Sequence, residues 1–139
     1  MGHNIDIHGN LMEWEPERKI ARITWRGNVT LEALRLQSES FRSRPEVGIL
    51  KGIIIDFTHA GSVDMPGSAV LNFTEDSPVF PPAFPRVMVA EKDLHYGLLR
   101  MYENLAAERR AGTTVVRTMA EAYRLLDLQD PVFVPLPPR

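Results

Sequence analysis

Apolar and polar positions change period several times along the chain, and each change marks an element. Lys19 to Arg26 alternates, with Ala21, Ile23 and Trp25 on one side and Ile20, Arg22 and Thr24 on the other, which is strand periodicity. Before it, Asn4 to His8 or Leu11 to Trp14 offers a first strand, and the cluster Glu15-Pro16-Glu17-Arg18 turns the chain. Gly27-Asn28 ends the second strand. Thr30 is placed to cap a helix whose stripe is Leu31, Leu34, Ser38 and Phe41, closed by Pro45 and Gly48.

The period then disappears. Ile53, Ile54 and Ile55 form an unbroken apolar run that ends at Asp56, as expected of a strand buried on both faces of a parallel sheet. A loop of small and polar residues follows, and Asp64 is read as the N-cap of a short helix with Met65 and Pro66 in its first turn. Residues 77–85, with four prolines, are read as an extended connection. Arg86 to Ala90 is a short strand. Asp93 is read as the cap of a helix carrying Leu94, Leu98, Met101, Tyr102 and Leu105 on one stripe, with Ala111-Gly112 as its stop. Thr113 to Arg117 is the last expected strand, and Thr118 with Glu121 makes a T-x-x-E capping box for a final helix carrying Met119, Ala122, Tyr123 and Leu126. From Asp130 the proline-rich tail shows no stripe and is expected to lie extended on the surface or to be mobile.

This order predicts an α/β fold: a mixed, mostly parallel sheet of four to five strands covered by about four helices, with an antiparallel first strand. The 139 residues fit a single domain, with its core in residues 19–127 and a tail in residues 130–139. An apolar share of 44% with 24% charged residues is ordinary globular usage. The net charge of −2 offers no attractive field for a nucleic-acid backbone, so no nucleic-acid partner is expected. With no cysteine, disulfides, thiolate catalysis and the usual structural zinc sites are excluded. The start MGHNIDIHGN lacks the features of a secretory signal and no apolar run approaches the roughly 20 residues of a membrane span, so the expected location is the cytoplasm.

Loops at the carboxyl ends of parallel strands are where such sheets present working groups. That places Thr58, His59, Ser62, Asp64, Met65 and Ser68 as a candidate interaction loop, and Lys92, His95, Tyr96 and Arg117 as a candidate rim beside it. His59, Ser62 and Asp64 have the residue types of a hydrolytic triad, but there is no G-x-S-x-G elbow and no phosphate loop, and polar turn residues are the simpler reading. His59, His95, Asp64, Glu91 and Asp93 are metal-ligand types without metal-ligand spacing, and helix caps with solvent-facing histidines account for them. No cofactor and no catalytic group is therefore assigned. Val79, Phe80 and Phe84 form a candidate apolar patch for a partner or an apolar ligand, unless Phe80 and Phe84 tuck under and finish the core.

The central stretch resembles the STAS domains of bacteria, in particular the SpoIIAA-like group. Asp56 and Asp64 stand eight apart, as the two aspartates of that pattern do, and Asp64-Met65-Pro66-Gly67 occupies the place of the Asp-Ser-Ser-Gly switch motif. Thr114 to Leu126, TVVRTMAEAYRLL, and Asp93 to Leu105, DLHYGLLRMYENL, are similar to that group's closing strand and helix and to its preceding helix. The resemblance implies a non-enzymatic binding or regulatory module that docks a protein partner, or a second copy of itself, through residues 58–71. The group's frequent association with lipid-binding domains implies the alternative, a carrier of a small apolar or lipid-like ligand held beneath residues 78–85 and the helix from Asp93. An enzyme using His59 or His95 is the third reading. The phosphoacceptor position of the motif is Pro66, which has no hydroxyl, so a phosphorylation switch at that residue cannot operate.

Overall fold

A computed structural model of the chain describes residues 9–76 and 78–136. Among these residues six strands form one sheet in the order β5-β4-β3-β2-β1-β6, with β1 Leu11–Glu15, β2 Ile20–Thr24, β3 Gly52–Asp56, β4 Arg86–Val89, β5 Thr113–Val116 and β6 Val134–Pro135. The pairs β2/β3, β3/β4 and β4/β5 are parallel, whereas β1 runs antiparallel to both β2 and β6. Among the described residues four helices accompany the sheet, α1 Leu31–Arg42, α2 Gly67–Glu75, α3 Asp93–Leu105 and α4 Met119–Leu125, with a 3-10 turn at Pro45–Ile49.

Strand parity divides the core. Ala21, Ile23 and Trp25 of the β2 segment lie with Ile53, Phe57, Met88 and Val115 on the face covered by α1, α2 and α3. Ile20, Ile54, Val87, Val89 and Val116 lie on the other face, against Ala122 of α4 and Leu128. Ile54 is fully buried between these layers and Ile53 nearly so, which is why β3 carries no polar alternation. The α/β class and the order of elements agree with the sequence pattern. The first strand is the Leu11 alternative, and Asn4 to His8 lies outside the described residues. In the turn between β1 and β2, the Glu15 carboxylate accepts from the amides of Glu17 (2.6 Å) and Arg18 (3.1 Å).

Several local expectations are corrected. The sheet has six strands rather than four to five, because the tail returns to pair with β1. Pro135 is tolerated there because β6 is an edge strand. The tail is fastened by Leu136, which is buried and donates its amide to the Met12 carbonyl at 3.1 Å, and by Phe133, which stacks on Tyr123 and lies under the Arg22 guanidinium at 4.0 Å.

Asp64 does not cap α2. Its backbone is drawn into a short parallel bridge between Val29 and Val63, so the helix starts two residues later from Pro66. Asp93 is likewise the first residue of α3 rather than its cap, a position held by Lys92. The buried stripe of α3 is rotated from the expected one. His95 and Tyr102 face inward while Leu94 and Leu105 are exposed, and α3 ends at Leu105 rather than at Ala111-Gly112. In α1 the buried residues are Ala33, Gln37 and Phe41, with Leu31 and Leu34 half-buried and packed on the same core.

The capping expectations at Thr30 and Thr118 agree with the structure. Each hydroxyl accepts from the third helical amide, of Ala33 at 3.1 Å and of Glu121 at 3.2 Å.

The proline-rich connection is not simply extended. It folds around Arg86, whose guanidinium donates to the carbonyls of Phe80 (2.7 Å), Pro81 (2.8 Å), Pro82 (3.1 Å) and Phe84 (3.0 Å). Prolines supply acceptors and no donors, so a buried cation with several N–H groups satisfies such a segment well. Gly112 sits against its far side. A Cβ there would lie 2.2 Å from the Phe84 carbonyl oxygen, so the close approach requires glycine.

Candidate binding cavity

The face of the sheet under α1, α2 and α3 is not completely filled. A cavity of about 400 Å³ lies between α1, the end of α2 and the start of the proline-rich connection. Its floor is made by Ile23, Ile53, Ile55 and Met88 from three neighbouring strands, with Phe57 just beyond β3. Leu34 and Phe41 of α1 form one wall and Phe73, Val79 and Phe80 the other. A second, smaller apolar space of about 50 Å³ is lined by Met65, Val70 and His95, and Leu34, Phe57, Phe73, Met88 and Tyr102 border both spaces.

Two cationic side chains are built into this apolar wall. Arg86 and Arg110 both line the cavity and are both only 5% exposed, yet neither makes an ion pair among the described residues. Arg86 is committed to the four loop carbonyls. Arg110 donates to the carbonyls of Thr74 (3.1 Å) and Asp76 (3.2 Å), and its guanidinium lies over the rings of Phe73 and Tyr102 at 5.3 and 5.9 Å. Burial holds the Arg86 guanidinium below its usual range, and the neighbouring Arg110 charge acts in the same direction against the Tyr102 phenol. The Tyr102 phenol itself is pushed up by burial, with Arg110 and Arg86 opposing.

At the mouth the charges pair off. Arg35 forms a two-point ion pair with Asp76 at 2.8 and 3.0 Å, and Arg42 stands 3.8 Å from Glu39. The Asp76 carboxyl is held below its ordinary range mainly by the hydrogen bond from Arg35.

The expected apolar patch resolves into this site. Phe80 is buried, Phe84 stacks on it at 4.0 Å between ring centroids, and Phe80 meets Phe41 edge-on at 6.0 Å. These rings thus finish the core instead of forming an exposed patch, and half-buried Val79 and buried Phe80 face the cavity.

The loop after β3 is presented at the carboxyl edge and is well tied. Val29 donates to the Ser62 carbonyl (2.7 Å), Asp64 to that of Val29 (2.8 Å) and Gly61 to that of Gly27 (3.1 Å), while the Ser62 amide takes the Asn28 side chain (3.0 Å). His59, Ser62, Asp64 and Ser68 are exposed and Thr58 half-buried, but Met65 is buried beneath them, which removes it from any interaction face. His59 Nδ1 lies 3.0 Å from the Thr58 hydroxyl and 3.8 Å from the Asp56 carboxylate. Among the described residues no hydrogen bond joins His59 to Ser62 or Asp64, and no three His, Asp or Glu side chains gather as a metal site.

The rim is only partly assembled. Arg117 donates to the Glu91 carbonyl and to the Asp93 carboxylate, both at 2.7 Å, and covers the Tyr96 ring at 4.3 Å, with Lys92 exposed beside them. His95 leaves the rim. It points to the smaller apolar space, and burial, then the Lys92 charge, holds its imidazole below its ordinary pKa.

The α1 wall, Arg86 and Arg110 are the features of this cavity that sequence reading missed. A lone arginine opening the otherwise apolar strand RVMV was the available signal for the first. Arg110 stands in the polar stretch AAERRAG, where nothing distinguishes it from a solvated neighbour. No protein-family model matches this chain, and no curated protein matches it in sequence. Among the described residues, no helix is long and apolar enough to cross a membrane.

Proposed function

We propose that this protein is a binding module that takes a small, largely apolar ligand into the cavity between α1, α2 and the proline-rich connection. The observation that carries this reading is the cavity itself, about 400 Å³ with an apolar floor and walls in which Leu34, Phe41, Phe73, Val79 and Phe80 stand beside charged and polar side chains. Well-packed interiors hold few voids larger than a water molecule, whereas ligand pockets run from about 300 to 1,000 Å³ with a few placed polar groups. The cavity falls in the second class. Its walls come from elements far apart in sequence, so the complete fold is needed to form it.

The neutral fluorescent probe N-phenyl-1-naphthylamine tests the reading. Saturable binding with one site per chain is expected, together with its loss in Leu34→Trp, where an indole fills the space while thermal unfolding stays cooperative. A linear, non-saturating signal from the wild-type protein overturns it.

A second reading is favoured by the tied loop after β3 and by its likeness to the STAS switch region. In that reading the exposed residues His59, Ser62, Asp64 and Ser68 make a rigid face for a second copy of the chain. Sedimentation equilibrium should then find a dimer that Asp64→Arg with Ser68→Arg converts to monomer. A wild-type monomer at all concentrations removes the self-association arm.

A further inference from the structure

We infer that the ligand is an amphipathic carboxylate: an unbranched apolar body laid along the sheet, with its carboxylate at Arg110. This inference rests on the cavity reading and adds the chemistry of the head group.

Four arginines line the cavity against two acids, and the pairs Arg35–Asp76 and Arg42–Glu39 account for both acids. Arg86 and Arg110 are left as a local excess of positive charge inside a chain whose net charge is −2. Such a charge, carried by two side chains that are themselves buried, favours an anionic ligand and disfavours a cationic one.

The two arginines differ in what they can still do. The four terminal N–H groups of Arg86 meet the four carbonyls of the proline-rich connection, so it contributes charge and shape. Arg110 uses two of its five N–H groups on the carbonyls of Thr74 and Asp76, and the others have no partner among the described residues. A guanidinium held by two backbone carbonyls and set over two aromatic rings is restricted in orientation before a ligand arrives. Its desolvation has already been met on folding, so a carboxylate arriving there recovers charge-assisted hydrogen bonds against a smaller penalty.

The two adjoining spaces are the ground for a chain-like body that reaches from one to the other. The larger cavity and the smaller one share five wall residues along the same sheet face, and the distal space has no charged wall residue other than His95. Burial favours the neutral imidazole there. The polar end is therefore at Arg110 and the apolar end near Met65 and Val70.

Equilibrium dialysis of the full chain against decanoate, decanol and decyltrimethylammonium separates the head-group inference from the cavity reading. Decanoate should bind at least about 10-fold more tightly than decanol, the range of a charge-assisted hydrogen bond, and the ammonium more weakly than either. Arg110→Met should bring decanoate down to the affinity of decanol, and Arg110→Lys should restore part of the difference. If the methionine variant does not fold, the wild-type comparison of the three head groups still decides. Equal binding of decanoate and decanol overturns the head-group inference while leaving the cavity reading in place, and no saturable binding of any of the three overturns both.

Discussion

Arg86 begins β4 as the one charged residue of a strand whose four residues are all buried. Its side chain stands where an apolar residue would serve the core, but the carbonyls around it would then lose their donors. Leaving buried acceptors unpaired costs more than an average hydrogen bond contributes. Replacing it by a residue of similar length without N–H groups, Arg86→Met, should lower stability by about 2–4 kcal/mol. Urea unfolding measures this, and a loss below about 0.5 kcal/mol would show that the proline-rich connection holds its shape without the cation.

His95 gives the residue scale a pH dependence. Burial keeps its folded-state pKa below the unfolded value of about 6.5, so the unfolded chain binds more protons in the intervening range. The contribution of neutral His95 is therefore fully present above about pH 6.5 and is lost as pH falls through the folded-state value. Between pH 7.5 and 5.5 the unfolding free energy of the wild type should fall more steeply than that of His95→Leu. Identical slopes would place the imidazole in contact with solvent. Both residues were hard to read for the same reason: burial is a tertiary property, and in LHYGLLRMY the adjacent Leu94 and His95 carry no local mark to say which faces inward.

At the scale of elements, what the sequence discloses depends on how far away the deciding partner is. Thr30 and Thr118 cap their helices through amides three residues on, and both caps were legible because cap and partner share one short stretch. Asp64 and Asp93 have the same residue type in the same kind of position, but distant partners decide them. Val29 takes the Asp64 amide into a bridge, and Arg117 takes the Asp93 carboxylate.

The tail follows the same rule. Four prolines gave it no periodic pattern, and its pairing depends on β1 and on a stack made by Arg22, Tyr123 and Phe133. Arg22 also reaches Glu13 at 3.0 Å and the Tyr123 hydroxyl at 3.0 Å, so the ring of Phe133 closes a group anchored in two strands and a helix. Phe133→Ala should cost about 1–2 kcal/mol and should speed hydrogen exchange of the Leu136 amide, which is bonded to Met12. Unchanged exchange at Leu136 would mean that the edge pairing holds the tail by itself.

Over the whole molecule, the mixed sheet, the antiparallel first strand and the buried isoleucine strand follow from patterns that sequence alone displays, because burial on two faces leaves its trace in an unbroken apolar run. The cavity leaves no such trace. Ile23, Leu34 and Ile53 read as inward-facing residues, and all three belong to or pack on the core, so nothing in them marks a cavity. Whether a core closes or leaves room depends on how α1 and the proline-rich connection stand apart over the sheet, and the guanidinium of Arg86 and the Arg35–Asp76 pair help to set that spacing. The loop after β3 is the opposite case. Its exposed polar tip was legible, but the burial of Met65 was not, since the Val29–Val63 bridge that turns it inward joins residues 34 apart in sequence.

The most direct measurement is a methyl-resolved NMR titration of the intact chain with decanoate. Saturable shifts are predicted for the methyl groups of Ile23, Leu34, Ile53, Ile55 and Met88, with none at the exposed leucines Leu94 and Leu125. Shifts spread evenly over buried and exposed methyls, or none at saturating ligand, would contradict a binding site between α1 and the sheet.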